Sequence, residues 1–117
     1  MRSFLIFLLS LPINALAEWD TTDKVLGTAA TTALVVDWGQ TRYIAKNPQS
    51  FEDRNKLLGK HPSTGQVDLY FASCILGTIL VADWLSPTNR KWFLGTITAV
   101  ELVVTSRNQQ IGIKLSF

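Results

Sequence analysis

Five side chains carry the chemistry this chain can offer within apolar surroundings: Asp37, Gln40, Thr41, Ser73 and Glu101. Three of them stand together in Asp37-Trp38-Gly39-Gln40-Thr41, late in an apolar stretch, 25–45, that is long enough to cross a membrane. A carboxylate there is costly, and the cost calls for a partner or a purpose. Helical spacing puts Gln40 and Thr41, at i+3 and i+4, on the face of Asp37. With a rise of 1.5 Å per residue, Asp37 lies about 18 Å beyond Val25 and Glu101 about 16 Å beyond Arg90. The two acids therefore fall at similar depth if both segments start from the same side, and Ser73 of the middle segment can meet them. Two adjacent acids in an apolar setting do not both stay ionised: one holds a proton, or Arg42 or Arg107 neutralises the pair. Three roles fit such a cluster. They are proton or cation handling, a polar contact with a partner subunit, and a hydrogen-bonded clamp between helices.

A second constellation runs from Asn55 through Gly59 to His61 and Pro62 in Asn55-Lys56-Leu57-Leu58-Gly59-Lys60-His61-Pro62-Ser63. A histidine beside a proline in a constrained turn can accept a proton or ligate; the alternative is an interfacial turn with an exposed imidazole. Other chemistries are disfavoured. One histidine and one cysteine, Cys74, do not make a protein-only zinc site, so no metal and no cofactor are expected. Ser73 and Cys74 lack a nearby histidine in sequence, and neither a Gly-x-Ser-x-Gly elbow nor a phosphate-binding glycine loop is present. A formal net charge of +2 is too small to argue for nucleic acid. The lone cysteine also excludes an internal disulfide.

The elements that position these residues follow from the distribution of apolar residues. Hydrophobic residues make up 47% of the 117 and charged residues 17%, and the apolar ones cluster in long blocks. Residues 1–17 read as a secretory signal peptide: Arg2, an apolar core from Phe4 to Leu11, Pro12, and a small-x-small site ending at Ala17. Residues 18–117 form one helical membrane domain with spans of about 25–45, 67–85 and 91–107 and a polar loop at 46–66. Thr21 or Thr22 is expected to cap the first helix and Trp19 to anchor it at the interface. Asn47-Pro48 ends it. Phe51 to Leu58 is expected to form a short interfacial helix with Phe51, Leu57 and Leu58 toward lipid, stopped by Gly59. Ser86-Pro87-Thr88-Asn89 reads as a turn, with the third span starting near Trp92. The alternating tail, 108–117, reads as an extended or interfacial segment.

The fold expected is thus an all-α membrane protein of about three transmembrane helices after a cleavable signal peptide. Lys46, Arg54, Lys56 and Lys60 make the connecting loop the most basic part of the chain, which places it in the cytoplasm. The N-terminus is then outside the bacterial inner membrane and the C-terminus cytoplasmic. Tyr43 and Tyr70 fall at the inner boundary; Trp19, Trp84 and Trp92 fall at the outer one.

Asp37-Trp38-Gly39-Gln40-Thr41, Leu57-Leu58-Gly59-Lys60-His61-Pro62-Ser63 and Val67-Asp68-Leu69-Tyr70-Phe71, with Glu101 and Asn108 further on, resemble small uncharacterised helical membrane proteins of bacteria and their phages. Lys56 departs from that pattern, where proline is expected after Asn55. The resemblance implies no activity, and implies that Asp37, Thr41, Asn55, Gly59, His61 and Pro62 belong to one site. The function expected is a non-enzymatic component of a membrane assembly, with the bilayer and either a second copy or another membrane protein as partners. A holin-like permeabilising or small transport protein is the alternative. An intramembrane enzyme using Asp37, Glu101 and His61 is the third.

Overall fold

The structure, a computed structural model, describes residues 18–53 and 57–117. The proposed signal peptide and Asn55 lie outside the described residues. Within them the chain is all-helical, without strands: α1 (Thr21–Lys46), α2 (Thr64–Trp84) and α3 (Pro87–Gln110). α1 and α3 run in the same direction, and α2 returns between them. α1 packs mostly on α3, less on α2, while α2 and α3 touch least.

The first helix is started by Asp20, not by Thr21 or Thr22. Asp20 Oδ1 accepts from the Asp23 N–H at 2.7 Å, and Asp23 Oδ2 accepts from the Asp20 N–H at 3.1 Å, which closes a reciprocal box on two orphan donors. Asn47 ends α1, its side chain donating to the Tyr43 carbonyl at 2.8 Å. Ser63 and Gln66 make the same reciprocal box at the start of α2. The third helix begins at Pro87, five residues before the expected start. Proline is favoured at a first helical position, where its missing N–H costs nothing, so the apparent turn is the first turn of α3. Only Leu85 and Ser86 separate α2 from α3.

Burial along α1 falls every seven residues, at Asp23, Ala30, Asp37 and Ile44, with Ala33, Leu34, Gln40 and Thr41 beside them. A seven-residue repeat is the signature of two helices meeting along a seam. The facing positions on α3 are Arg90, Leu94, Glu101, Thr105 and Asn108. Ala30 and Leu94 pack with Trp19 and Ala82 in the apolar core, supported by Leu26, Phe93 and Ile97. The seam is therefore apolar in patches and polar at three levels.

At the first level Arg90 joins all three helices. Its Nη1 donates to Asp23 Oδ2 at 3.0 Å, its Nε to the Ala82 carbonyl at 2.7 Å, and its Nη2 to the Leu85 carbonyl at 3.0 Å and more weakly to that of Asp83 at 3.3 Å. Those carbonyls are the last of α2, which no intrahelical donor can reach. Trp19 lies under the guanidinium, 5.3 Å from it, and its Nε1 donates to Asp83. Trp19 is thus buried core, not an interface anchor. At the opposite end Arg42 grips both oxygens of Asp68 at 2.6 Å, and Trp38 Nε1 donates to the same carboxylate at 2.8 Å.

The expected interfacial helix at 51–58 is not formed by its described residues: 51–53 are irregular and Leu57 and Leu58 lie in a turn. Phe51 packs its ring on Tyr43, 5.7 Å away, instead of facing lipid. Gly59 has φ +83°, a left-handed conformation that L side chains disfavour. The tail leaves α3 through Gly112, at φ +92°, and returns along α1, where the Ser116 N–H donates to the Gly39 carbonyl at 3.0 Å and Arg42 Nε to the Ser116 carbonyl at 3.1 Å. A Cβ on Gly39 would lie 2.5 Å from the Phe117 ring, so glycine permits this close approach.

Among the described residues only α2 is long and apolar enough to cross a membrane, and 17% of its apolar stretch is buried within the molecule. α1 and α3 do not meet that standard alone, because their seam carries Asp37, Gln40, Glu101 and Asn108.

The Asp20 carboxyl is held below its ordinary range by the Lys91 hydrogen bond and the Asp23 N–H. Burial alone would raise the Asp23 carboxyl, but hydrogen bonds from Lys91, the Asp20 N–H and Arg90 outweigh it and keep it low. Depressed carboxyls add stability above their unfolded values and lose it as pH falls through the folded ones. Thermal unfolding should therefore be nearly flat above about pH 5 and drop below about pH 4, with a shallower drop in Asp23→Asn. Arg90→Ala removes one of the two cations on the 1%-exposed Asp23 side chain and the donors to the last α2 carbonyls, and should cost about 2 kcal/mol; a melting temperature equal to the parent's would refute the role given to Arg90.

Candidate functional site

The middle polar level of the seam holds most of the residues singled out by sequence. Asp37, 9% exposed, projects from the buried face of α1. Thr41, one turn on, directs its hydroxyl at the Asp37 carbonyl at 2.8 Å and at Asp37 Oδ1 at 3.2 Å. Glu101 of α3 faces the same cavity as Asp37 from across the seam. Glu101 Oε2 is buried and receives no N–H or O–H from any other group.

Gln40 is satisfied differently. Its Nε2 donates to the Thr105 carbonyl and its Oε1 accepts from Asn108 Nδ2, each at 3.0 Å. Both contacts bridge α1 to α3 one turn below the acid pair. Asn108 lies seven residues, two turns, beyond Glu101, and that spacing is the one sequence signal that marks it as part of the group. Neither proposed base neutralises the acids. Arg42 is committed to Asp68 and the tail, and Arg107 is exposed and forms no ion pair with a described carboxylate.

The acid pair opens onto a cavity of about 430 Å³ between the three helices, lined also by Leu34, Tyr70, Phe71 and Cys74. Loop residue Glu52, Arg107 of α3 and tail residue Ile113 line it as well. Ser73 is not brought into this cavity. It is exposed and faces a separate groove with Leu57 and Leu69, because position 73 is two residues from Phe71 and turns away from α1. His61 is exposed and lines neither space. The loop motif is therefore split. Pro62 is buried, Gly59 makes the left-handed turn, and the imidazole faces outward. Among the described residues, no three His, Cys, Asp or Glu side chains converge on a metal-sized point.

The fold and site define a class: three packed helices, one of them membrane-competent, with a hydrogen-bonded polar cluster inside the bundle. No family model, curated protein or solved structure matches the chain.

If the cluster is a clamp, the identity of its proton carrier matters less than the hydrogen bonds. Asp37→Asn supplies an amide donor to Glu101 and should shift stability by less than about 1 kcal/mol. Asp37→Leu sets an apolar side chain against the buried Glu101 oxygen and should cost about 2 kcal/mol, much of it regained in Asp37→Leu/Glu101→Leu. Thermal unfolding of the three variants reads this; additive losses in the double variant would contradict coupling of the two acids.

Proposed function

We propose that this chain is a small multi-pass integral membrane protein that serves as a structural or accessory component of a membrane assembly. The observation that carries the reading is α2: an apolar helix of 21 residues, about 32 Å long, left largely uncovered by the rest of the molecule. In water such a surface is an association hazard; in a bilayer it is the ordinary exterior of a helix. α1 packs lengthwise on α2 and α3 lengthwise on α1, so a crossing by α2 carries both through the same slab. Asp37, Gln40, Glu101 and Asn108 turn into the seam, while Val35, Val100, Leu102 and Val103 stay outside. Trp84 and Trp92, 84% and 74% exposed, mark one end of the bundle at headgroup level.

Orientation follows from charge. The end with the α1–α2 connection and the tail carries the excess of bases, so it is assigned to the cytoplasm, with the N-terminus outside after removal of residues 1–17. Intramembrane hydrogen bonds typically contribute well under 2 kcal/mol each, which suits Asp37, Gln40, Glu101 and Asn108 to fixing helix register. A permeabilising or small transport role is the second reading, favoured by the cavity in which Asp37 and Glu101 meet.

In the expressing bacterium the chain should stay with membranes through an alkaline carbonate wash. In a Cys74→Ser background, a cysteine at Ser50 should react with an impermeant maleimide only after lysis, and one at Glu18 in intact spheroplasts. Release by carbonate would remove the membrane reading, and labelling of both in intact cells would remove the topology. Collapse of membrane potential on induced expression would favour the permeabilising reading over the accessory one.

A further inference from the structure

We propose that the end of the bundle built from the α1–α2 connection and the C-terminal tail is a docking surface for anionic phospholipid headgroups, an inference that rests on the membrane reading above. The two ends of the molecule differ in how many exposed cations stay outside ion pairs with described carboxylates, Lys24 at the Trp84 end against four at the other. At the Trp84 end Arg90 and Lys91 are engaged by Asp20 and Asp23 at 2.8–3.0 Å. At the opposite end Lys46, Lys60, Arg107 and Lys114 are exposed and form no ion pair with a described carboxylate. Lys46 donates to the Ser116 hydroxyl at 2.8 Å, which holds it beside the tail and leaves its other donors open.

Apolar side chains are interleaved with these cations. Leu57 is 85% exposed and Phe117 is exposed as well. A basic surface with apolar side chains set among the charges matches the boundary between phosphate headgroups and acyl chains. An acidic protein or a nucleic acid would answer the charge and leave the leucine and phenylalanine in water. Its described parts are tied together: the tail is fixed to Gly39 and Arg42, and the Asp53 N–H donates to the Lys60 carbonyl at 2.9 Å. The phosphates it meets are those of the leaflet the bundle sits in, not free phosphate.

The test uses the full chain reconstituted in vesicles of phosphatidylcholine with phosphatidylglycerol, and native mass spectrometry of the lipids it retains. The parent should retain phosphatidylglycerol in preference to phosphatidylcholine, with no competition from added inorganic phosphate. The triple variant Lys46→Gln/Lys60→Gln/Lys114→Gln should lose that preference on the order of a hundredfold, since each cation near an anionic surface contributes about fivefold. Lys24→Gln, which removes an exposed cation at the other end, should leave it unchanged. Circular dichroism checks that the triple variant stays helical. Equal retention of both lipids by the parent, or an undiminished preference in a helical triple variant, overturns the proposal. So does displacement by inorganic phosphate. A parent that fails to float with vesicles of either composition strikes the membrane reading itself and is distinguished by the absence of both lipids.

Discussion

Arg90 is the point on which the arrangement of the three helices turns. A guanidinium presents five donors in a rigid plane, and here they are spent on the Asp23 carboxylate and the terminal carbonyls of α2. One side chain thereby fixes where α1 begins, where α2 ends and how α3 leaves it. The two-residue link between α2 and α3 holds because those carbonyls need no further residues to satisfy them. With Asp23 pinned to Arg90, the parallel register of α1 and α3 is set. The same register then brings Asp37 to Glu101 and Gln40 to Thr105 and Asn108 further along.

That register explains how acids and amides in the helices are drawn inside the bundle. Asp37 and Gln40 of α1 and Glu101 and Asn108 of α3 face one another, at intervals matching the heptad seam. α2 needs no such arrangement, since it has little polar surface to hide and is correspondingly bare. The bundle is closed at its two ends by ion clusters of different character. The Arg90 cluster is buried and consumes its charges; the Arg42–Asp68 pair is partly exposed, ties down the tail, and leaves neighbouring lysines open.

Several features were legible in the amino-acid order because they depend on near neighbours. The three helical segments follow from apolar blocks, and Asn47-Pro48 ends the first. Asp37, Gln40 and Thr41 share a face by helical spacing alone. The errors arose where a local cue competed with a distant partner. Thr21 and Thr22 looked like caps, but Asp20 could also use Lys91. Trp19 looked like an interface anchor until Arg90 and Asp83 provided a cation and an acceptor for it. Pro87 looked like a turn, although a proline also opens a helix. Ser73 had the right depth and the wrong face, and Phe51 found Tyr43 before it could find lipid.

Sequence by itself determined the class of structure and the cast of its interior: helices long enough to span, an apolar middle helix, and acids at matching depth on the first and third. Those properties are set by residues a few positions apart, through helical rise and hydrophobic period. Only the tertiary structure decided which polar groups meet. Asp23 and Arg90 are 67 positions apart, Gln40 and Asn108 are 68, and Arg42 and Asp68 are 26. No local periodicity encodes such pairs; they exist because three helices pack in one register, and that register is chosen by the sum of contacts along the whole seam.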